Sequence, residues 1–132
     1  MTNYYRIWLG QQSAFADECK SGSFIGVDYG IYQDLTNELP DRWQEFNEKF
    51  RPIWLDLHPG KSKISAGLSC GALHTVCKGI IQEDIVLSPD GHGSYMVGEI
   101  VGDYSYHPGL NLPHRRNVRW YPRGIRRDEM SR

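Results

Sequence analysis

The residues of this chain that could do chemistry fall into four groups. Metal-assisted phosphodiester cleavage needs clustered carboxylates, often with a lysine close behind the second. Asp90 and Glu99 are spaced plausibly, but Ile100 and Val101 follow Glu99 where a lysine would stand. Cys70, His74 and Cys77 lie at i, i+4 and i+7 and share a helical face. A structural zinc site takes four ligands, usually from paired loops. Three such residues are equally the pattern of a buried helix face with inert thiols. His74, His92, His107 and His114 could move protons, yet no serine or cysteine sits in a recognisable nucleophile context. Pro-Asp-Gly-His-Gly-Ser at 89–94 has the glycines of a phosphate loop without its lysine or following helix, and reads as a hairpin turn. The expectation is no catalytic centre, no metal and no cofactor.

The fourth group is aromatic and basic. Eight tyrosines and four tryptophans are available. Tyr29, Tyr32 and Trp54 stand beside turn residues, where a ring face could stack on an extruded base. Trp43 and Trp120 are assigned to the core. Six arginines (115, 116, 119, 123, 126 and 127) lie between His114 and Arg127 with no acidic residue among them. The net charge is only −1, because carboxylates such as Asp34, Glu38, Asp41, Glu45 and Glu48 offset them. A local basic patch on a near-neutral protein marks a polyanion partner. The same run could instead be a solvated, arginine-rich strand and loop.

These groups must be held by about one domain's worth of chain, 1–132. Such a length buries enough surface to need no metal or disulfide staple. Three cysteines (Cys19, Cys70, Cys77) and a start too polar for a signal sequence or membrane span predict reduced thiols in the cytoplasm.

Periodicity predicts strands at Tyr4–Leu9, Ser23–Tyr29, Asp84–Ser88, Tyr95–Val101 and Asn117–Tyr121. Gly26 inside the second suggests a bulge or a close backbone approach. Ser13 is expected to cap a short helix to Cys19. A longer helix starts near Pro40, carries Trp43, Phe46, Phe50 and Trp54 as one stripe, and should end or kink at Pro52. Another runs over Ser65–Lys78, with Leu68, Ala72, Leu73, Val76 and Cys77 on its apolar side and Gly79 closing it. This order suits an α+β fold: a small, mixed, partly closed β-barrel with helices packed outside or across one mouth. Regular βαβ alternation is missing, which excludes a doubly wound sheet.

The segments 66–106, with SPDGHGSYMVGEI and GDYSYHPG, and LPHRRNVRW at 112–120 resemble the N-terminal EVE-like domain of Mrr-type modification-dependent restriction endonucleases. FIGVDYGIYQDLTNELP at 24–40 is similar too. Nearly the whole chain is covered. The resemblance implies a PUA-superfamily fold, related to the YTH and SRA modules that read modified bases. It also implies a nuclease domain, in the same chain or a partner, joined near the tail at 125–132. Two places depart from the pattern. Glu83-Asp84 stands where relatives carry Gly-Asp, which calls for an adjusted or strained turn. Val27-Asp28-Tyr29 stands where relatives often have a tryptophan.

A PUA-like barrel would present a pocket between strand two and the loops after strand one and the second long helix. Double-stranded DNA would offer it a flipped methylated or hydroxymethylated cytosine, or a methyladenine. Tyr29 would stack on one face, with Trp54 or Trp8 against the other. Asp28 would accept from the exocyclic amine; its other reading is a turn carboxylate capping a nearby amide. Ser13 or Gln12 would add a polar contact. Arg115 and Arg116, beside His114 and with Arg119 nearby, would clamp phosphates. The alternatives are an RNA-binding PUA-like module and a protein-interaction module of a restriction system.

Overall fold

Alternating inward and outward residues dictate where this chain forms sheet. The computed structural model describes residues 2–130. Met1 and the final two residues of the predicted junction at 125–132 lie outside them. The strands are β1 (Tyr4–Arg6), β2 (Phe24–Val27), β3 (Ile85–Pro89), β4 (Ser94–Tyr106), β5 (His114–Trp120) and β6 (Ile125–Arg126). Their order is β1-β3-β4-β5-β2, with β6 on the start of β4. β1 runs parallel to β3, and the other pairs are antiparallel. The main five strands curl into a half-barrel, and the fold is mixed α+β. Val86, Ile100, Ile25 and Val118 point inward and are fully buried or nearly so. Each such side chain contributes about 1.5–3 kcal/mol.

The helices are α1 (Ala16–Gly22), α2 (Trp43–Leu57), α3 (Lys63–His74) and the short α4 (Arg127–Met130). Phe46, Phe50 and Trp54 form the buried stripe of α2, with the two phenylalanines stacked at 4.5 Å. Two expectations for α2 fail. It passes through Pro52 and ends at Leu57. Pro52 is exposed, so the one carbonyl it leaves unpaired can face water. Trp43 is 52% exposed instead of buried, because it sits at the first residue of α2 and overhangs the core. Leu68, placed on the apolar side of α3, is also exposed. The end of that helix widens into a π turn, Thr75–Gly79, where Ile80 N–H reaches Thr75 C=O. The predicted cap at Ser13 is absent: Phe15 precedes α1, and Gln12 and Ser13 form a left-handed turn with φ of 56° and 61°.

β5 is an interior strand, and both of its faces are covered over its first three residues. Its first three residues, His114, Arg115 and Arg116, are therefore all buried. The Arg116 guanidinium donates to the carbonyls of Gly102 (2.9 Å), Val76 (3.1 Å) and Ile80 (2.5 Å). Arg115 donates to Leu112 O (2.9 Å) and Asn111 O (2.6 Å) and lies 3.9 Å from the Phe24 ring centroid. Neither is a phosphate clamp. Each is an internal tie, with its donors spent on carbonyls that would otherwise be orphaned. Arg119 is exposed and pairs with Glu99 at 2.6 Å. Trp120 is part-buried, donating its indole N–H to Cys19 O across to α1.

Glu83 takes φ of +80°, the strained turn that its place in the sequence called for. The next residue makes the strain worthwhile. Asp84 is buried and accepts from Asn3 N–H (3.0 Å) and Ile81 N–H (2.9 Å), fixing the start of β3 against the N-terminal strand. Glu83→Gly should stabilise the fold by roughly 1 kcal/mol and raise the melting temperature by about 3–6 °C. Calorimetry checks this, and an unchanged or lower melting temperature would refute the strain.

Candidate base-binding cleft

The cleft begins with two edge strands. Trp8, Gly10, Gln11 and Gln12 follow β1; Val27, Asp28 and Tyr29 close β2; Leu112 precedes β5. Together they line an open cleft of about 300 Å³. The half-barrel therefore curls far enough to bring its two edges around one site. Trp8 and Tyr29 are 57% and 40% exposed. Of the residues expected to surround a base, the structure gathers Trp8, Gln12, Asp28 and Tyr29 here. Ser13 lines an adjoining cleft of about 210 Å³ that shares Trp8 and Gln12. Its other walls include Ser94, Tyr95 and Arg127, and Arg6 sits over the Tyr95 ring at 5.7 Å.

Much of this wall is held in unusual backbone. Gln12, Ser13, Tyr29 and Leu112 all have positive φ, four of the six such non-glycine residues described. Each costs of order 1–2 kcal/mol and persists only where its surroundings enforce it. Tyr29 (φ 49°) is enforced from beneath. Trp54 is buried and donates its indole N–H to Tyr29 O at 2.9 Å. Its ring stacks on His58 at 4.1 Å, not on the cleft. Trp54 is thus a support for Tyr29 and not a cage ring. The His58 imidazole lies where a side chain on Gly30 (φ 74°) would be, so that position takes glycine alone. Asp28 Oδ1 accepts from Gly30 N–H at 2.9 Å, so the turn-capping carboxylate is real, and the residue still lines the cleft. Tyr32, beside Asp28, has its phenol pushed above the ordinary value by that carboxylate.

Leu112, the opposite wall, was not anticipated. It is positioned by Arg115, which grips the Leu112 carbonyl, and by Gly26, where a Cβ would meet that same oxygen at 2.8 Å. The glycine in strand two therefore marks a close backbone approach. The left-handed turn at Leu112 left no clear mark in the sequence.

The loop after β2 is tied down a second time. His114 is fully buried and hydrogen-bonds Ile31 O through Nε2 at 2.6 Å and the Tyr104 hydroxyl through Nδ1 at 2.8 Å. Tyr104 Oη in turn accepts from Leu35 N–H at 3.1 Å. One tautomer satisfies everything: Nε2–H donates to Ile31, and Nδ1 accepts the tyrosine proton. His114 is therefore a neutral internal link and not a phosphate contact. Burial holds its pKa below the ordinary 6.5, against the opposing pull of the Ile31 carbonyl.

The Cys70 and Cys77 thiols are buried, and burial raises both pKa values. His74 Nε2 bonds Pro40 O. Among the described residues, no group of three or more His, Cys, Asp or Glu could hold a metal ion. No helix of the described residues is long and apolar enough to cross a membrane.

Residues 5–131 match the family described as a domain of unknown function, DUF8426. The chain belongs to that family. No curated protein and no solved structure matches it. The match spans every wall of the cleft, from Trp8 to Leu112, and the His114–Tyr104 link behind it.

The depressed pKa of His114 gives a signed expectation. The unfolded chain takes up a proton near 6.5, and the folded chain does so only at lower pH. Stability is complete above that value and falls as pH drops below it. His107 is depressed too, by burial and by Arg115, so the test belongs in a His107→Gln background. There, urea midpoints should fall from pH 7.5 to 5.5, and adding His114→Gln should flatten the slope while lowering the midpoint at pH 7.5. Equal slopes would show that His114 carries no such linkage.

Proposed function

We propose that this domain reads double-stranded DNA by taking one swung-out base into the cleft between Trp8 and Tyr29, as PUA-like modules do. The observation that carries the reading is a convergence. Two exposed rings, a carboxylate and an amide meet at one strained cleft of about 300 Å³. That volume is at the lower end for small-ligand pockets, about 300–1,000 Å³, and suits a single base better than a larger ligand. Rings left out of the core contribute little to stability and are suited to stacking, worth about 1–3 kcal/mol per base.

The polar groups narrow the base. Asp28 accepts from Gly30 N–H through Oδ1 and also faces the Tyr32 phenol, and a carboxylate has acceptor sites to spare for an exocyclic amine. Cytosine and adenine carry one. A methyl or hydroxymethyl group would add apolar contact to Trp8, Tyr29 and Leu112. The resemblance to EVE-like domains of modification-dependent restriction enzymes points the same way. On this reading the domain works in the cytoplasm and directs a nuclease carried elsewhere, with no catalytic centre of its own.

Phosphate contact passes to other arginines than those the sequence suggested. Arg6 and Arg127 flank the adjoining cleft and have no ion pair among the described residues. Strand gripping beside the flipped base suits them, because Arg matches phosphate with its planar fork.

The decisive measurement compares duplexes carrying 5-methylcytosine, 5-hydroxymethylcytosine, N6-methyladenine or no modification, at fixed salt. One modified duplex should bind about tenfold or more tightly than the plain one. Tyr29→Ala should erase that preference. Equal affinity for all four duplexes, or stronger binding to single-stranded RNA, would end this reading. Arg127→Ala should weaken every duplex alike and reduce the salt slope by about one. Arg116→Ala should instead lower thermal stability, with no separate effect on the salt slope.

A further inference from the structure

We propose that the groove between α2 and α3 is a docking site for an acidic amphipathic helix of a partner protein. The groove holds about 570 Å³ and lies on elements that contribute nothing to the cleft's lining. Trp43, Ile64 and Leu68 form its apolar rim and are 52%, 76% and 71% exposed. Three large apolar side chains on one face are costly to leave in water and mark an interaction surface. Trp43 and Leu68 were assigned by sequence periodicity to buried faces, yet both are exposed. A third helix laid over them would complete that burial.

The floor is shaped for such a helix. Trp43, Asn47 and Arg51 recur every four residues along α2, and Gly67 and Gly71 do so along α3. The two glycines let α2 lie close to α3: a Cβ on Gly67 would meet Arg51 at 3.7 Å and one on Gly71 the Asn47 amide at 4.0 Å. Asn47 is 6% exposed and ties the two helices together beneath the groove, its Nδ2 donating to Gly67 O at 3.2 Å.

Charge selects the kind of helix. Arg51 and Lys63 stand at the loop end of the groove, Arg51 within 3.7 Å of where a Gly67 side chain would be. Neither has an ion pair among the described residues, and no carboxylate lines the groove. The N-terminus of α3 adds partial positive charge at the same end. A second copy of this chain would bring the same two cations and no carboxylate. A helix with acidic residues at one end complements the site.

The test uses a designed helical peptide with leucines at i, i+3 and i+7 and two glutamates in its first turn. Its counterpart carries lysines in place of the glutamates. NMR titration of the full chain should show shifts at the Trp43 indole. The glutamate peptide should bind about tenfold more tightly than the lysine peptide at low salt. Leu68→Glu should abolish binding and leave binding of the modified duplex unchanged. Equal affinity of the two peptides, binding of neither, or a dimer in sedimentation that buries Trp43 would each overturn the proposal. Tyr29→Ala should leave peptide binding intact, so failure here and failure of the base-reading role are separable.

Discussion

The molecule depends on how it holds the loop that leaves β2. Tyr29 sits in a left-handed conformation that a tyrosine does not adopt on its own. Three hydrogen bonds fix it and the residues after it: Trp54 Nε1–H to Tyr29 O, His114 Nε2–H to Ile31 O, and Leu35 N–H to the Tyr104 hydroxyl. Their groups come from α2, β5 and β4, so the loop is pinned to the helical layer and to the sheet together. The His114 bond is buried and the other two are part-buried; away from water, hydrogen bonds are electrostatically stronger and their loss is dearer. An exposed ring is thereby presented at a defined angle by parts that never touch the cleft.

The basic block is used in the same way. Arg115 and Arg116 are consecutive on β5 and point to opposite faces. Arg116 gathers the end of the π turn, and Arg115 gathers the Leu112 turn on the other side. Each guanidinium lends several donors to carbonyls that the sheet and helix ladders leave unpaired. This is costly in desolvation and specific in geometry. It lets a short strand organise both a helix terminus and a wall of the site.

The β3–β4 hairpin, the two long helices and the mixed α+β order were legible because alternation and 3.6-residue periodicity act locally. So was the placing of Trp8, Asp28 and Tyr29 at the ends of predicted strands and of Gln12 just beyond one, where the cleft lies. His114, Arg115, Arg116 and Trp54 were misread for one reason. A charged or amphipathic side chain looks the same in sequence whether its donors meet phosphate or backbone carbonyls. For the three on β5 the strand order decides, because it makes that strand interior; for Trp54 the packing of α2 beneath Tyr29 decides. Trp43 and Leu68 were misread because periodicity assigns a face and says nothing of whether a neighbour covers it. Pro52 misled because its cost depends on whether the carbonyl it orphans reaches solvent.

The walls of the cleft come from the beginning, the first quarter and the far end of the chain. Leu112 meets Trp8 and Tyr29 only after β5 has paired between β4 and β2. Contacts so distant along the chain close late and slowly. During synthesis the cleft therefore lacks its third wall until β5 has emerged and inserted between β4 and β2.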